Sequence, residues 1–175
     1  MPSLFKAKLL SNGRIVLDLK ENPQAEALQA RGYGEKTGEI LQLQPWEALH
    51  LLSEETITVV DELGETLSFE TLLERLSAGD ETLWSKYLVF RDLRTRGYVV
   101  KPGFSPELPF RVYERGGYGR EPSKFLLLPL REGEPLSLEK LERALQTAKA
   151  AKKELVLALV ERRGEIVYYS LSQFA

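Results

Sequence analysis

The sequence predicts an α+β or α/β protein in two parts: a small mixed α/β N-terminal domain over residues 1–80, and a C-terminal domain over residues 81–175 with a central mixed sheet flanked by helices. Three observations support this. The chain has 175 residues, of which 43% are hydrophobic, enough for one or two packed cores. The first half mixes short strands and helices. The second half reads in the order α-β-β-β-α-β-β, which is typical of a sheet with helices packed on it.

The first half opens with a hairpin and a helix. Two short apolar runs, Leu4–Leu10 and Arg14–Leu19, flank an Asn-Gly turn at 11–13, and Asn-Gly between apolar runs is a strong hairpin signal. The helix begins at Asn22, which can cap it, and at Pro23, which suits the first helical position.

The rest of the first half alternates strands and helices. A short strand over 39–43 leads to Gln44-Pro45, which starts a second helix. A run of mostly β-branched residues over 56–60 predicts a strand. Ser68 caps a third helix with Thr71 three positions on, so only half of a capping box is present.

The second half begins with an amphipathic helix and a hairpin. Spacings of three and four residues predict the helix over Tyr87–Arg96, and Gly97 stops it. Two strands, Tyr98–Val100 and Phe110–Tyr113, follow on either side of a turn rich in Gly and Pro.

A glycine-rich loop, Gly116–Pro122, separates this hairpin from a buried strand at Ser123–Leu130. Three glycines in four residues suit a phosphate cradle, but this loop does not lead into a helix, as a phosphate-binding loop does. After an acidic turn, Ser137–Lys152 is predicted to be a helix. The last two strands are Glu154–Val160 and Glu165–Leu171.

Composition excludes several kinds of site. The chain has no Cys, so it forms no disulfide and no thiolate metal site. Its one His, His50, has no second His or Cys to complete a metal site, and we interpret it as a structural or surface residue. There is no signal-peptide apolar segment and no apolar run of about 18 residues, which predicts a cytoplasmic protein that does not enter a membrane. The chain has no Cys, one Met and 29% charged residues. This composition is typical of a protein from a thermophile.

Residues 91–124 form a basic island in an otherwise acidic chain. They hold eight Lys or Arg against four acids, a net +4, while the remainder is −6 and the total −2. Such an island can face phosphate, but a solvated face with paired charges is the preferred interpretation on composition alone. Arg91, Arg94 and Arg96 are more typical of pairing on a helix surface than of RNA contacts.

Three stretches carry a family resemblance. They are YLVFRDLRTRGYVVKPGF (87–104) followed by FRVYERG (110–116), ARGYGEKTGEILQLQPWEALHLL (30–52), and KKELVLALVERRGEIVYY (152–169). In this order they cover nearly the whole chain, which resembles the archaeal tRNA-intron splicing endonucleases. The resemblance implies a nuclease-like C-terminal domain. It also implies cleavage of precursor tRNA at exon–intron junctions, without metal or cofactor, to give 2′,3′-cyclic phosphate and 5′-hydroxyl ends.

The resemblance implies a site of three side chains. A tyrosine acts as general base on the ribose 2′-hydroxyl, a histidine as general acid on the departing 5′-oxygen, and a lysine stabilises the charged transition state. A tyrosine has an ordinary pKa of about 10 and needs cationic neighbours to act as a base. A fixed ammonium is effective where charge develops away from water. By position, the tyrosine is Tyr113 and the lysine is Lys153.

Two positions depart from the family pattern. The histidine is expected shortly before the FLLL strand, and this chain has Pro122 there, which carries no titratable proton. The family's RNA-gripping arginine, two helical turns before the lysine, is Gln146 here. Both departures make the chain resemble the structural, non-catalytic subunit of a heterotetramer with two copies of each subunit. Tyr113 and Lys153 are then interpreted as inactive remnants, because a site acts as a unit.

For a structural subunit, the resemblance implies two surfaces that bind the homologous catalytic subunit, with precursor tRNA bound through the complex. Glu132 and Glu134 match an acidic loop that docks into a basic cleft of a partner, although an ordinary exposed turn looks the same in sequence. The last strand would pair across a two-fold-like interface, or would simply be the last strand of the internal sheet. Its contact residues are Ile166, Val167, Tyr168, Tyr169 and Leu171.

Two rival interpretations stay open from sequence. The chain could be an active endonuclease in which Lys124 or Arg120 replaces the histidine as proton donor. It could also be a stand-alone RNA-binding protein built on this fold.

Overall fold

The computed structural model describes residues 4–173, and it divides into two compact units between Tyr87 and Leu88. The predicted fold class is confirmed: each unit contains one mixed sheet, and the described residues form five α-helices. The domain boundary after Asp80 stays a prediction, and the outermost residues of the two predicted domains lie outside the described range. No helix within 4–173 combines the length and the apolar character needed to cross a membrane.

The first unit is built on a six-stranded sheet with the strand order β3-β4-β2-β1-β5-β6. β1 and β5 pair in parallel and the other neighbours are antiparallel. Its strands are β1 Phe5–Leu9, β2 Ile15–Asp18, β3 Glu35–Thr37, β4 Ile40–Leu43, β5 Ile57–Val60 and β6 Thr66–Leu67. Its helices are a 3-10 turn at Pro23–Ala25, α1 Glu26–Ala30, α2 Pro45–Ser53 and α3 Phe69–Ser77.

The predicted first hairpin is confirmed, with Gly13 at φ +82° in its turn. The predicted cap at Asn22 is wrong in its mechanism. The Asn22 side chain makes no capping bond; its Oδ1 accepts from the Lys6 backbone N–H at 3.0 Å, and its Nδ2 donates to the Asp18 carbonyl at 3.0 Å. The amide therefore ties the chain to β1, and the segment that follows is a 3-10 turn leading into a short α-helix.

The second and third helices begin as the sequence predicts. Gln44 and Glu47 complete a capping box at the start of α2, with Pro45 in the first turn. Ser68 Oγ accepts from the Thr71 N–H at 3.1 Å at the start of α3. Two short strands, β3 and β6, are present although no prediction covered them, because each has too few residues to show an alternating pattern.

The second unit has a five-stranded sheet with the order β11-β10-β9-β8-β7, in which only β9 and β10 are parallel. The predicted element order is confirmed, but α4 begins at Leu83 rather than at Tyr87 and crosses the division between the units. The remaining bounds are α4 Leu83–Thr95, β7 Val99–Pro102, β8 Phe110–Tyr113, β9 Phe125–Arg131, α5 Leu138–Ala150, β10 Glu154–Val160 and β11 Ile166–Leu171.

The two faces of this second sheet are covered differently. Leu126 pairs with Leu155 in register, and both pack with Ala144 and Ala148 of α5 in a buried cluster, on what we call the α5 face. Because side chains alternate along a strand, the neighbouring pair Leu127 and Val156 points to the opposite face. The last turns of α4 lie on that opposite side, which we call the α4 face.

Candidate functional site

Tyr113 is the last residue of β8 and is half-buried. It alternates with Arg111 along the strand, so both side chains lie on the α5 face, and the Arg111 guanidinium is 5.8 Å from the centre of the Tyr113 ring. The ring of Tyr118 meets it edge-on at 5.1 Å. The Tyr113 ring therefore has a cationic and an aromatic neighbour.

Lys153 lies between the end of α5 and the start of β10. The helix ends with Lys152 in the left-handed region at φ +55°, and the Lys153 N–H donates to the Ala148 carbonyl at 2.9 Å. This turn aims the Lys153 side chain at the strand next to β10, where its Nζ donates to the Ser123 carbonyl at 2.6 Å. The ammonium is therefore held against the residue that follows Pro122.

The sheet register brings these two predicted residues to one end of the sheet. Val112 and Glu154 both pair with Phe125, so continuing each register by one residue places Tyr113, Lys124 and Lys153 in a row across three strands. Two backbone hydrogen bonds of 2.9 Å extend the pairing to Lys124. The Lys124 N–H donates to the Val112 carbonyl, and the Glu154 N–H donates to the Lys124 carbonyl. With strands about 4.8 Å apart, the backbones of Tyr113 and Lys153 are roughly 10 Å apart.

The loop between β8 and β9 occupies the same end of the sheet. It consists of turns and leads into β9, so the prediction that it does not lead into a helix is confirmed. Lys124 and Glu114 close its base with an ion pair of 2.8 Å, and the hydrogen bond and charge of Glu114 raise the pKa of Lys124. Pro122 is exposed at its end.

Ser123 follows Pro122 and is 4% exposed. Its hydroxyl has no hydrogen-bond partner within the described part of the chain, while its carbonyl accepts from Lys153. Sequence reasoning did not single out this serine, because an unpaired hydroxyl is a property of packing and not of residue pattern.

The predicted acidic loop lies between β9 and α5. Glu132 and Glu134 are both exposed, and each carboxylate also shapes the turn. Glu132 Oε2 accepts from the Arg162 N–H at 2.9 Å, and Glu134 Oε2 accepts from the Arg131 N–H at 3.2 Å. The turn is thus held in one shape with its acids at the surface.

β11 is an edge strand, so its outer side has no strand neighbour among the described residues. Tyr169 is 49% exposed, and Val167 and Leu171 share its face by alternation. Tyr168 points the other way: its hydroxyl donates to Asp92 Oδ2 at 2.7 Å. Burial, and then the hydrogen bond to Asp92, raise the pKa of Tyr168.

His50 belongs to the first unit and not to this site. It is 6% exposed and its ring is stacked on Tyr33, with 6.2 Å between the ring centres. This burial agrees with a structural residue. Within residues 4–173, no group of three or more His, Cys, Asp or Glu side chains is arranged to hold a metal ion.

Sequence reasoning also missed the contacts of the α4 face. Arg115 lies over the Tyr98 ring at 5.0 Å, and Arg96 over the Tyr168 ring at 5.6 Å. The pair of Arg96 with Asp92 is a helical i, i+4 spacing that the sequence does show. The Asp92 contact with Tyr168 spans 76 positions, which no local pattern reveals.

Two family models match the chain. The model described as the tRNA intron endonuclease N-terminal domain matches residues 7–73, and the model described as the tRNA intron endonuclease catalytic C-terminal domain matches residues 83–168. The tRNA-splicing endonuclease of Methanococcus vannielii is 35% identical over 162 residues, which cover 93% of this chain and 90% of that protein. The tRNA-splicing endonuclease of Pyrococcus abyssi is 36% identical over 160 residues, covering 91% and 92%.

Proposed function

Because the chain belongs to the tRNA intron endonuclease family, we propose that it is the structural, non-catalytic subunit of a tRNA-splicing endonuclease. Two copies of this chain and two of a homologous catalytic subunit form a heterotetramer in the cytoplasm. The assembly cleaves precursor tRNA at exon–intron junctions and leaves 2′,3′-cyclic phosphate and 5′-hydroxyl ends. The observation that carries this proposal is Pro122 at the position of the proton donor.

The proposed chemistry needs both a base and an acid. The base removes the proton from the 2′-hydroxyl, the 2′-oxygen attacks phosphorus, and the departing 5′-oxygen takes a proton from the acid. Tyr113 keeps the residue type that serves as the base, with the Arg111 guanidinium 5.8 Å from its ring centre. Proline has no proton to give, and losing a general acid costs about 10²–10⁴-fold in rate.

Lys153 keeps the position of the electrostatic group, but its ammonium is engaged by the backbone of the same chain. One of its three N–H donors is committed to the Ser123 carbonyl at 2.6 Å. This contact gives Lys153 a structural role, joining the start of β10 to the segment before β9. It supports the interpretation of Tyr113 and Lys153 as remnants.

The geometry argues against an active enzyme with a substitute acid. Lys124 is paired with Glu114 at 2.8 Å, which raises its pKa and makes its ammonium a poorer proton donor. An arginine such as Arg120 keeps its proton in proteins and does not serve as a general acid. The two substitutes that the sequence offers are therefore both unsuited to the step.

The assembly surfaces follow from the exposed elements. The outer edge of β11 offers backbone N–H and C=O groups for pairing with a strand of the partner, with Val167, Tyr169 and Leu171 adding apolar contact beside it. Ile166 and Tyr168 contribute through the same backbone edge. Glu132 and Glu134 form a second contact, directed at a basic surface of the other subunit pair.

The test is a cleavage assay of precursor tRNA with this chain alone and with the homologous catalytic subunit. We expect no cleavage by the chain alone and cleavage by the mixture. Tyr113→Phe in this chain should leave the rate of the mixture unchanged, as should the control Tyr118→Phe, which alters the ring that packs on Tyr113. Cleavage by the isolated chain that disappears in Tyr113→Phe would falsify the proposal and establish the active-enzyme alternative.

Two simpler observations distinguish a structural subunit from a stand-alone RNA-binding protein. A second homologue in the same genome, with histidine at the position of Pro122, supports the two-subunit enzyme. Failure of the tagged chain to co-purify with any such homologue would instead favour a stand-alone RNA-binding protein.

A further inference from the structure

The α4 face of the second sheet contains a pocket of about 180 Å³. Pockets that bind drug-sized ligands have volumes of roughly 300–1,000 Å³. This smaller pocket therefore suits a single ring system. Its floor is apolar and is formed by Val112, Phe125, Leu127 and Val156 from three neighbouring strands, and the rings of Tyr98 and Tyr168 stand beside it. It lies on the face opposite Tyr113, and the proposed chemistry uses none of these residues.

Each of the three aromatic rings that line this pocket has a cation near its centre. Arg115 lies 5.0 Å from the ring centre of Tyr98, Lys124 lies 5.4 Å from that of Phe125, and Arg96 lies 5.6 Å from that of Tyr168. The three cations belong to the basic island at 91–124, which carries a net +4. Of the three, Arg96 lines the pocket itself, and an apolar slot beside cations is complementary to a flat, apolar group attached to an anionic backbone.

The cations differ in how far they are neutralised. Arg96 pairs with Asp92 and Lys124 with Glu114, whereas Arg115 has no carboxylate partner among residues 4–173. Arg115 contacts the ring and hydroxyl of Tyr98, which lines the pocket, so its charge is available to a phosphate beside the pocket.

We propose that this pocket binds one unpaired nucleobase of single-stranded RNA, with Arg115 contacting an adjacent phosphate. This inference rests on the proposed function, which brings the chain to precursor tRNA, and it adds a direct contact between this subunit and the RNA. Stacking of bases on aromatic side chains in a basic groove is the usual mode of single-strand binding and is tolerant of sequence.

The first experiment measures binding of the full chain to two fluorescent probes, a short single-stranded oligoribonucleotide and the same backbone made abasic. Both probes carry the same phosphates, so their difference isolates the base. We expect the intact RNA to bind about tenfold more tightly, since one stacked base contributes a factor of roughly 5 to 150. Equal affinities for the two probes would overturn the proposal.

Variants locate the effect in the pocket. Val156→Phe fills the cavity from β10 and should lower affinity for the intact RNA about tenfold, to that of the abasic probe, without changing the abasic affinity. Arg115→Gln should weaken both probes and reduce the salt slope by about 1. The control Arg163→Gln removes the same charge from the exposed β10–β11 turn, and an equal loss there would show non-specific attraction and sink the phosphate contact.

NMR of the unmodified chain gives a readout that does not depend on how the variants fold. Methyl signals of Val112, Leu127 and Val156 should shift when the intact RNA is added and not when the abasic one is. If they shift only on addition of the catalytic subunit, the pocket holds a protein side chain and the proposal is wrong. Failure of the mixture to cleave precursor tRNA, with pocket shifts still present, would instead reject the structural-subunit proposal alone.

Discussion

The two faces of the second sheet hold tyrosines in opposite surroundings. On the α4 face, the Tyr168 hydroxyl donates to Asp92 at 2.7 Å, and burial together with that carboxylate raises its pKa. On the α5 face, Tyr113 ends its strand half-buried beside Arg111. A carboxylate acceptor fixes a tyrosine as a neutral donor, whereas a guanidinium near the ring makes a cation–π contact. The surroundings of a tyrosine in this fold therefore differ between the two faces: the α4 face holds its hydroxyl by a hydrogen bond, and the α5 face places its ring beside a cation.

Truncating the core of the α5 face should have the largest effect. Leu126 is fully buried in the cluster with α5, so Leu126→Ala leaves a cavity and should lower the free energy of unfolding by about 2–5 kcal/mol. The measurement is urea unfolding followed by circular dichroism. Leu138→Ala, at a leucine that is 83% exposed, is the matched control and should change little. A small effect at Leu126 would mean that α5 does not hold this face.

Removing the tyrosine hydroxyl of the α4 face should have an intermediate effect. Tyr168→Phe loses one hydrogen bond to a charged acceptor and should destabilise the chain by about 1–2 kcal/mol, with Asp92 still paired to Arg96. Tyr169→Phe, at the exposed neighbour, is the control.

Tyr168→Phe also tests how the free energy of unfolding depends on pH. The pKa of Tyr168 is raised on folding, so above pH about 10, the ordinary value, the unfolded chain binds fewer protons than the folded one. The stabilisation from this hydroxyl is complete below that pH and declines above it, by less than about 1.4 kcal/mol per pH unit because the ring is partly solvent-exposed. The difference in unfolding free energy between the native chain and Tyr168→Phe should shrink as pH rises; a constant difference would contradict the assignment.

Releasing Lys124 should have the smallest effect. Glu114→Gln removes its partner in an exposed ion pair, so the unfolding midpoint should stay unchanged, while the pKa of Lys124 returns toward its ordinary value. We still expect no cleavage of precursor tRNA by the isolated chain. Cleavage by the Glu114→Gln variant would identify Lys124 as a proton donor that its ion pair with Glu114 holds inactive. The isolated chain would then have a working acid.

Local patterns predicted most of this fold. The Asn-Gly hairpin, the helix start at Gln44-Pro45, the cap at Ser68, and the whole element order of the second unit needed only residue spacing and turn chemistry. The misses were features that depend on packing. Asn22 looked like a cap because it precedes Pro23, but its amide bonds to β1, a strand 16 positions away.

Only part of the candidate site could be predicted, again because contacts that depend on packing leave no local pattern in the sequence. Family resemblance located Tyr113, Pro122 and Lys153 by position, and the sheet register places Tyr113 and Lys153 at one end of the sheet. Contacts between distant elements were beyond the sequence: the Lys153 bond to the Ser123 carbonyl, the Tyr168 bond to Asp92, and the α4-face pocket, which draws its walls from residues 93 to 168.

The edge position of β11 has a consequence for how the protein is made. The six residues of β11, Ile166–Leu171, display backbone donors and acceptors on one side, and none of them is a proline or a lysine that would discourage non-native pairing. A copy whose β11 edge is uncovered therefore offers a template to any other extended chain. Under the proposed two-subunit assembly, balanced synthesis of the two subunits would keep this edge covered in the cell.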